Sequence, residues 1–343
     1  MSSEKAYIVI LNWNGWKDTL ECLESVFRSD YPNYQVIVCD NDSTDGSLEH
    51  IRAWAEGREI AMVPDTPPVR LEPPVAKPIA YAEYGREQAE AGGADEMHDR
   101  KLVLIRTGAN LGFAGGTNVG LRYALRRGDF GYAWLLNNDT VVRHDALSNL
   151  VSRCKESGAG ITGSKMPYYD DPHVIWALGG ATYNKWLAIP ECIGLRRLAD
   201  EPNDCKEVEA RMAYVAGASM LVSRDFLRDI GLMQEDYFLY YEELDWAQRA
   251  KGRYSLAYAP GSIVYHKVGA STGRNMAMPG GGSAEHYMRR NALLVTYRFF
   301  PLAVPSVCMR FAMGYARKKL PAFLKRTAGE IVRRIVRRSR QAV

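Results

Sequence analysis

Apolar positions in the first 140 residues fall into short, separated runs. Tyr7-Ile-Val-Ile-Leu11, Gln35-Val-Ile-Val-Cys39, Leu102-Val-Leu-Ile105 and Tyr132-Ala-Trp-Leu-Leu136 each read as a strand buried on both faces. Leu20, Leu23, Val26 and Phe27 recur at helical spacing between the first two, and Asp45-Gly46-Ser47 looks like the start of another helix. Strands separated by helical crossovers predict an α/β fold, a mainly parallel sheet flanked by helices. In such a sheet the loops at the carboxyl ends of the strands bind ligands.

Residues 57–100 interrupt the pattern. Pro64, Pro67, Pro68, Pro73, Pro74 and Pro78 precede an acidic, Ala/Gly-rich run from Glu87 to Asp99; the stretch reads as a surface insertion, partly mobile and without a packed core of its own. Further on, Met212 to Val222 reads as one buried strand, Glu242 to Lys251 as a helix and Ile263-Val-Tyr265 as a late strand. No apolar run reaches the roughly 18–20 residues that span a bilayer; the nearest, Phe299 to Met309, is broken by Pro301 and Pro305.

Charge divides the chain. The formal net charge is +4, yet residues 287–343 hold 14 Lys and Arg against one acid, Glu330, so the remainder is acidic. In the tail, bases interleave with apolar and aromatic residues, and Ile331 and Ile335 lie one helical turn apart. Residues 286–343 are therefore expected to form a basic, amphipathic helical extension lying on an anionic membrane surface. Nucleic acid is not the expected partner, because the acidic body would repel it. Six cysteines form no C-x-x-C pair, and Met1-Ser-Ser-Glu-Lys5 lacks the layout of a signal peptide. The expected setting is cytoplasmic, peripheral on the inner face of the cell membrane.

Three loops carry candidate chemistry. Asp40-Asn41-Asp42-Ser43 follows the second strand, where a carboxylate can accept from the imide N–H of a pyrimidine; Asx turns and helix caps use the same residues. Asn110-Leu-Gly112-Phe-Ala-Gly115-Gly116-Thr-Asn118 opens a helix after the third strand, a place that suits phosphate and also close packing. Asn137-Asn138-Asp139 ends the fourth strand with oxygen donors for a hard divalent cation, or with an ordinary Asn/Asp turn. Farther along, Glu242-Glu243-Leu-Asp245 stands at a helix start, where acids cap the dipole or act as a general base, and His266 ends the last strand. A dinucleotide fingerprint is missing after Leu11, which disfavours a dehydrogenase, and no glycine-rich basic loop is there to hold a triphosphate.

Taken in order, these pieces resemble the family 2 glycosyltransferases, in particular their rhamnosyltransferase-like branch. The resemblance runs through Val9-Ile-Leu11-Asn12-Trp13-Asn14-Gly15, Val38 to Ser47, Asn110 to Asn118, Leu135 to Thr140, Gly217 to Met220, Tyr240 to Asp245, and Tyr265-His266. It implies a GT-A fold over residues 1–285, with a nucleotide-binding half to about 140 and an acceptor half from about 141. It also implies Mn²⁺ or Mg²⁺ and inverting transfer from a nucleotide diphosphate sugar (dTDP-rhamnose or a UDP-sugar). The acceptor would be a glycan or polyprenyl-linked hydroxyl in cell-surface polysaccharide synthesis. By position, Leu11, Asn12, Asn14, Asp40, Asn41, Asn110, Gly112, Gly115, Asn118 and Asn138 would meet the nucleotide sugar, with Asp40 reading the base. Asp139, Asn137 and His266 would hold the metal. Glu243 stands where the family places its base, flanked by Glu242 and Asp245. Asn137 replaces an acid, and Glu243 is one methylene longer than the usual Asp. The alternative is a catalytically inactive sugar-binding or scaffold protein of the same fold.

Overall fold

A computed structural model describes residues 3–64, 67–97, 99–268 and 284–319; the expected amphipathic stretch around Ile331 and Ile335 lies outside them. The strands are β1 Ala6–Asn12, β2 Tyr34–Asp40, β3 Tyr81–Gly85, β4 Leu102–Arg106, β5 Tyr132–Asn137, β6 Thr140–Val142, β7 Ile161–Pro167, β8 Ile175–Leu178, β9 Gly180–Asn184, β10 Ile189–Cys192, β11 Tyr214–Val215, β12 Ser219–Ser223 and β13 Leu256–His266. The helices are α1 Trp16–Val26, α2 Ser47–Ala55, α3 Arg86–Glu90, α4 Gly112–Arg127, α5 Ala146–Ser157, α6 Cys205–Arg211, α7 Arg224–Ile230, α8 Glu242–Ala250, α9 Ala284–Phe299 and α10 Val304–Lys319.

One large sheet runs β3-β4-β2-β1-β5-β12-β7-β13-β6, with β8 added beside β7. The strands β1 to β5 are parallel to one another, and β12 runs antiparallel between β5 and β7. Period-two alternation splits these strands between two cores. Ile8, Ile10, Val36, Val38, Leu102, Leu104, Trp134 and Leu136 pack toward α1 and α2. Their neighbours Tyr7, Val9, Ile37, Cys39, Val103, Ile105 and Leu135 pack with residues of α4 on the other face. Both faces are covered, which is why the runs are continuously apolar. The two expected halves share this sheet. By its contacts the chain forms two units, Met1–Tyr183 with Pro190–Asn291, and Asn184–Ile189 with Ala292–Val343.

Two expectations are corrected. Residues 57–100 are not a coreless surface insertion. They supply β3, the edge strand, which pairs with β4 from Tyr81↔Leu102 to Gly85↔Arg106. Leu71, Ile79, Ala82, Tyr84 and Ala89 are buried there. The stretch before β3 is held by the carboxylate of Glu24, 2% exposed. It accepts from Trp54 Nε1 at 2.8 Å, the Val75 N–H at 2.9 Å and Lys77 Nζ at 2.5 Å. Proline-rich composition hid an ordered segment because its anchor sits 50 residues away in sequence, on α1. The run Met212 to Val222 is likewise two strands in two sheets. β11 joins β9 and β10, whereas β12 enters the large sheet, and the chain changes sheet at Ala216-Gly217-Ala218.

Removing Glu24 would leave Lys77 and two N–H donors without their acceptor. Glu24→Ala is expected to destabilise the protein by about 3 kcal/mol, the scale of breaking a buried ion pair, and to speed proteolysis within residues 57–78. A denaturant titration with limited trypsin digestion checks both.

Candidate functional site

Parallel pairing in step brings the strand ends together. Asn12 lies opposite Asp40, Leu11 opposite Asn137, and Asp40 opposite Arg106. Around these ends is a small cavity of about 110 Å³ lined by Leu11, Trp13, Asn41, Asn110, Gly112, Phe113, Asn137, Asn138, Phe238 and Leu239. Its walls are cross-linked by Asn41, whose Nδ2 donates to Asn110 Oδ1 at 3.0 Å and to the Gly112 carbonyl at 3.1 Å. Asn41 Oδ1 accepts from the Leu111 N–H at 3.1 Å. Gly112 has φ +72°, and a Cβ there would lie 2.2 Å from the Phe238 carbonyl oxygen, so both conformation and space require glycine.

A second cavity of about 370 Å³ shares Phe113, Asn137 and Leu239 with the first and is also lined by Asp139, Trp176, Tyr214, Gly217, Tyr240, Tyr241, Glu242, Glu243 and His266. Strand pairing assembles one corner. His266 lies opposite Thr140 in the β13–β6 ladder, and the Lys267 N–H donates to the Asp139 carbonyl at 3.0 Å. His266 Nε2 is thereby 3.3 Å from Asp139 Oδ1, both residues buried. The Trp176 ring meets the imidazole edge-on at a centroid distance of 4.5 Å. A carboxylate and an imidazole converging on one cavity wall, with the Asn137 amide on the same wall, are an O/N donor set suited to Mn²⁺ or Mg²⁺. Among the described residues no group of three His, Cys, Asp or Glu side chains gathers as a metal cluster. Asp139, His266 and Asn137 are the residues that would hold such a cation.

The same cavity is lined by two further acids. The approach to α8 has Phe238, Tyr240 and Tyr241 at φ +63°, +71° and +74°, a left-handed region that such bulky residues rarely enter. Glu242 and Glu243 follow at once. Burial pushes the Glu242 carboxyl well above the usual carboxylate range, and the charge of Glu243 adds to the rise. Burial also raises Glu243, opposed by the backbone N–H groups of Glu243 and Gly217. A Cβ at Gly217 would lie 2.4 Å from Glu243 Oε1, so the bare glycine is what admits this side chain.

Of the sequence-predicted residues, the structure brings Leu11, Asn41, Asn110, Gly112 and Asn138 to the first cavity, Asn137 to both, and Asp139, Glu242, Glu243 and His266 to the second. Six line neither cavity. Asp40 is 3% exposed and accepts from Asn12 Nδ2 at 2.7 Å and the Ser43 N–H at 3.0 Å, so Asp40 and Asn12 are joined behind the wall. Asn14 Oδ1 accepts from the Thr44 N–H at 2.7 Å. Gly115 packs against Leu111 within α4. Asn118 exchanges bonds with the Met233 backbone at 2.8 and 3.2 Å. Asp245 accepts from Tyr237 Oη at 3.0 Å and Arg249 Nε at 2.7 Å, a structural carboxylate on the buried side of α8. Sequence reasoning missed the aromatic lining of Trp13, Phe113, Phe238, Trp176 and Tyr214. Tyr240 and Tyr241 stood beside the acids without being assigned to the site, and nothing in the sequence singles out Trp176.

Comparison with known proteins agrees with this architecture. The pattern of the family described as glycosyl transferase family 2 matches residues 7–68, and that of glycosyltransferase like family 2 matches residues 81–278. A low-salt glycan biosynthesis hexosyltransferase of Haloferax volcanii is 24% identical over 163 residues, 46% of this chain and 47% of the relative. An N-acetylglucosaminyl-diphospho-decaprenol L-rhamnosyltransferase of Mycobacterium tuberculosis is 28% identical over 195 residues, 51% of this chain and 61% of the relative. The chain thus spans about half to three fifths of the length of these curated relatives. Among solved structures, GalNAc-T7 with UDP, GalNAc and Mn²⁺ superposes with a TM-score of 0.55 at 14% identity, covering 86% of this chain and 48% of that one. The likeness shows the expected GT-A fold, and the match over residues 81–278 places the chain in the family 2 glycosyltransferases.

Proposed function

We propose that this glycosyltransferase moves a sugar, with inversion, from a nucleotide diphosphate sugar such as dTDP-rhamnose or a UDP-hexose to a hydroxyl of a glycan or polyprenyl-linked acceptor. The observation that supports the reading most is the pair of connected cavities. One is walled by the β1, β2 and β4 loops; the other is lined by Asp139 and His266 together with Glu242 and Glu243. In this reading the nucleotide sits in the first and the sugar projects into the second. The mycobacterial relative's lipid-linked substrate supports the acceptor class.

Asp139 and His266, with Asn137, would hold the divalent cation, which when bound neutralises charge on the departing diphosphate. Glu243 takes the proton of the acceptor hydroxyl. That oxygen attacks the anomeric carbon as the bond to the diphosphate oxygen breaks, and the diphosphate leaves with the electron pair. One displacement inverts the centre and needs one base. Burial raises both acids, Glu242 with the charge of Glu243 adding to its rise. The apolar, aromatic walls exclude water, which would otherwise compete as acceptor.

The second unit supports association with an anionic membrane. Trp186, Leu187, Leu302, Met309, Met313 and Tyr315 are exposed there, and Ser306 Oγ donates to the Trp186 carbonyl at 2.7 Å. Residues 292–319 contain Arg298, Arg310, Arg317, Lys318 and Lys319 and no acid. Among the described residues no helix is long and apolar enough to cross a membrane, so the contact would lie in the interface.

Four outcomes follow. Asp139→Ala abolishes transfer, whereas Asn137→Asp retains it; metal-dependent release of nucleoside diphosphate from a panel of nucleotide sugars is the assay. Glu243→Gln lowers kcat by about 10²–10⁴-fold, the usual loss on removing a general base, with donor binding retained in a thermal-shift titration. Because burial raises both acids, the base is protonated and idle below its elevated pKa. The acid limb of kcat/KM should therefore rise at a pH above the ordinary carboxylate range. Finally, the intact protein floats with anionic but not neutral vesicles, salt weakens the binding, and M309E/M313E reduces it. Failure to float with anionic vesicles sinks the membrane reading.

A further inference from the structure

Asn291 lies in α9, beyond the last residue matched by the family pattern, and its side chain is fully buried. Its Nδ2 donates to the carbonyls of Tyr237 at 2.7 Å, Leu239 at 2.7 Å and Tyr240 at 3.1 Å. Three carbonyl oxygens at one end of the amide fix which end is nitrogen. Its two protons serve three acceptors, so one bond is shared. Oδ1 accepts from Arg290 Nη1 at 2.9 Å, and Arg290 Nη1 also donates to the Asp236 carbonyl at 2.7 Å.

The segment held in this way is the strained one. Phe238, Tyr240 and Tyr241 all sit at positive φ, a conformation that persists only where the surroundings enforce it. Leu239 walls both cavities, and Tyr241 is the residue at which α8 begins. A single buried amide thus spans the backbone that separates the two cavities and leads into the acid pair.

We infer that Asn291 is a positioning residue, which clamps residues 237–241 in their strained conformation and so holds Glu242 and Glu243 at the reacting centre. This rests on the transfer reading above. It adds a residue outside the recognised motifs, which never touches substrate and acts only through backbone carbonyls. Relaxing the clamp would let the loop leave the left-handed region, shift the start of α8 and admit water to the acids. A displacement of about 1 Å at a catalytic group costs on the order of 10²-fold in rate.

The test uses the full chain with Asn291→Asp, which is isosteric but turns a carboxylate toward the three carbonyls, and Asn291→Gln, which retains the donor. The inference expects three results for Asn291→Asp: a fall in kcat of about 10²-fold, a downward shift of the acid limb of the pH–rate profile as the acids become solvated, and faster amide hydrogen exchange confined to residues 237–243. Asn291→Gln should recover part of the rate. If Asn291→Asp keeps kcat within about 2-fold, or loses activity only in proportion to its folded fraction with an unmoved acid limb, the clamp is wrong. Hydrogen exchange reads the clamp without any turnover. Faster exchange in a wild-type background that lacks transferase activity would therefore leave the clamp standing and overturn the transfer reading; unchanged exchange beside normal wild-type turnover overturns the clamp alone.

Discussion

In-step pairing of β1 with β2 on one side and β5 on the other is the constraint on which the site depends. Because side chains alternate, a slip of one residue would exchange the whole apolar set of a strand between the two cores. Ile8 and Ile10 would trade places with Tyr7 and Val9, against helices shaped for the opposite set. That penalty locks the register, and the register brings Leu11, Asp40 and Asn137 to one edge. The position of Asp139 is therefore decided by hydrophobic packing well below it. The β13–β6 ladder then delivers His266 to the same place from more than 120 residues later in the chain.

β6, β7 and β8 escaped notice, whereas the parallel strands β1, β2, β4 and β5 were legible in the sequence, because strands buried on both faces leave continuous apolar runs that nothing else explains as well. β3 was not. Its five residues are partly exposed at an edge and carry Glu83, and the prolines before it advertise a loop. The break at Gly217 was equally hidden: the residues on either side are small and apolar, and only the placement of Glu243 shows why the strand must end there. Polar loop residues were the least readable. Asn12, Asp40 and Asn118 read as ligand contacts in the sequence; the structure adds the partners they hold, Asn12 with Asp40 and Asn118 with Met233, which lie too far along the chain to be foreseen. Conversely Trp176 enters the site through β8, a strand without a distinctive pattern.

The two walls of the larger cavity solve opposite electrostatic problems. On one, the Asp139 carboxylate and the His266 imidazole face each other 3.3 Å apart. On the other, two acids are adjacent in sequence and both are deprived of water, so a single ionisation discourages the next. Each arrangement is costly to fold and is held by elements packed from outside: β13 and β6 for the first, the 237–241 backbone and α8 for the second. The fold carries that cost in its apolar layers and releases it in a cavity where charge is to be moved.

Gly217 and Glu243 are also coupled sterically. The first atom that a new side chain at 217 meets is the terminal oxygen of Glu243, with the rest of that carboxylate arm close behind at 3.2 and 3.3 Å. A shorter acid at 243 would withdraw that oxygen and relieve the crowding. The two positions are therefore not free to drift separately. Accepting a methyl at 217 requires a change at 243 first, whereas shortening 243 requires nothing of 217. An alanine at 217 is thus harder to hold beside glutamate at 243 than beside aspartate.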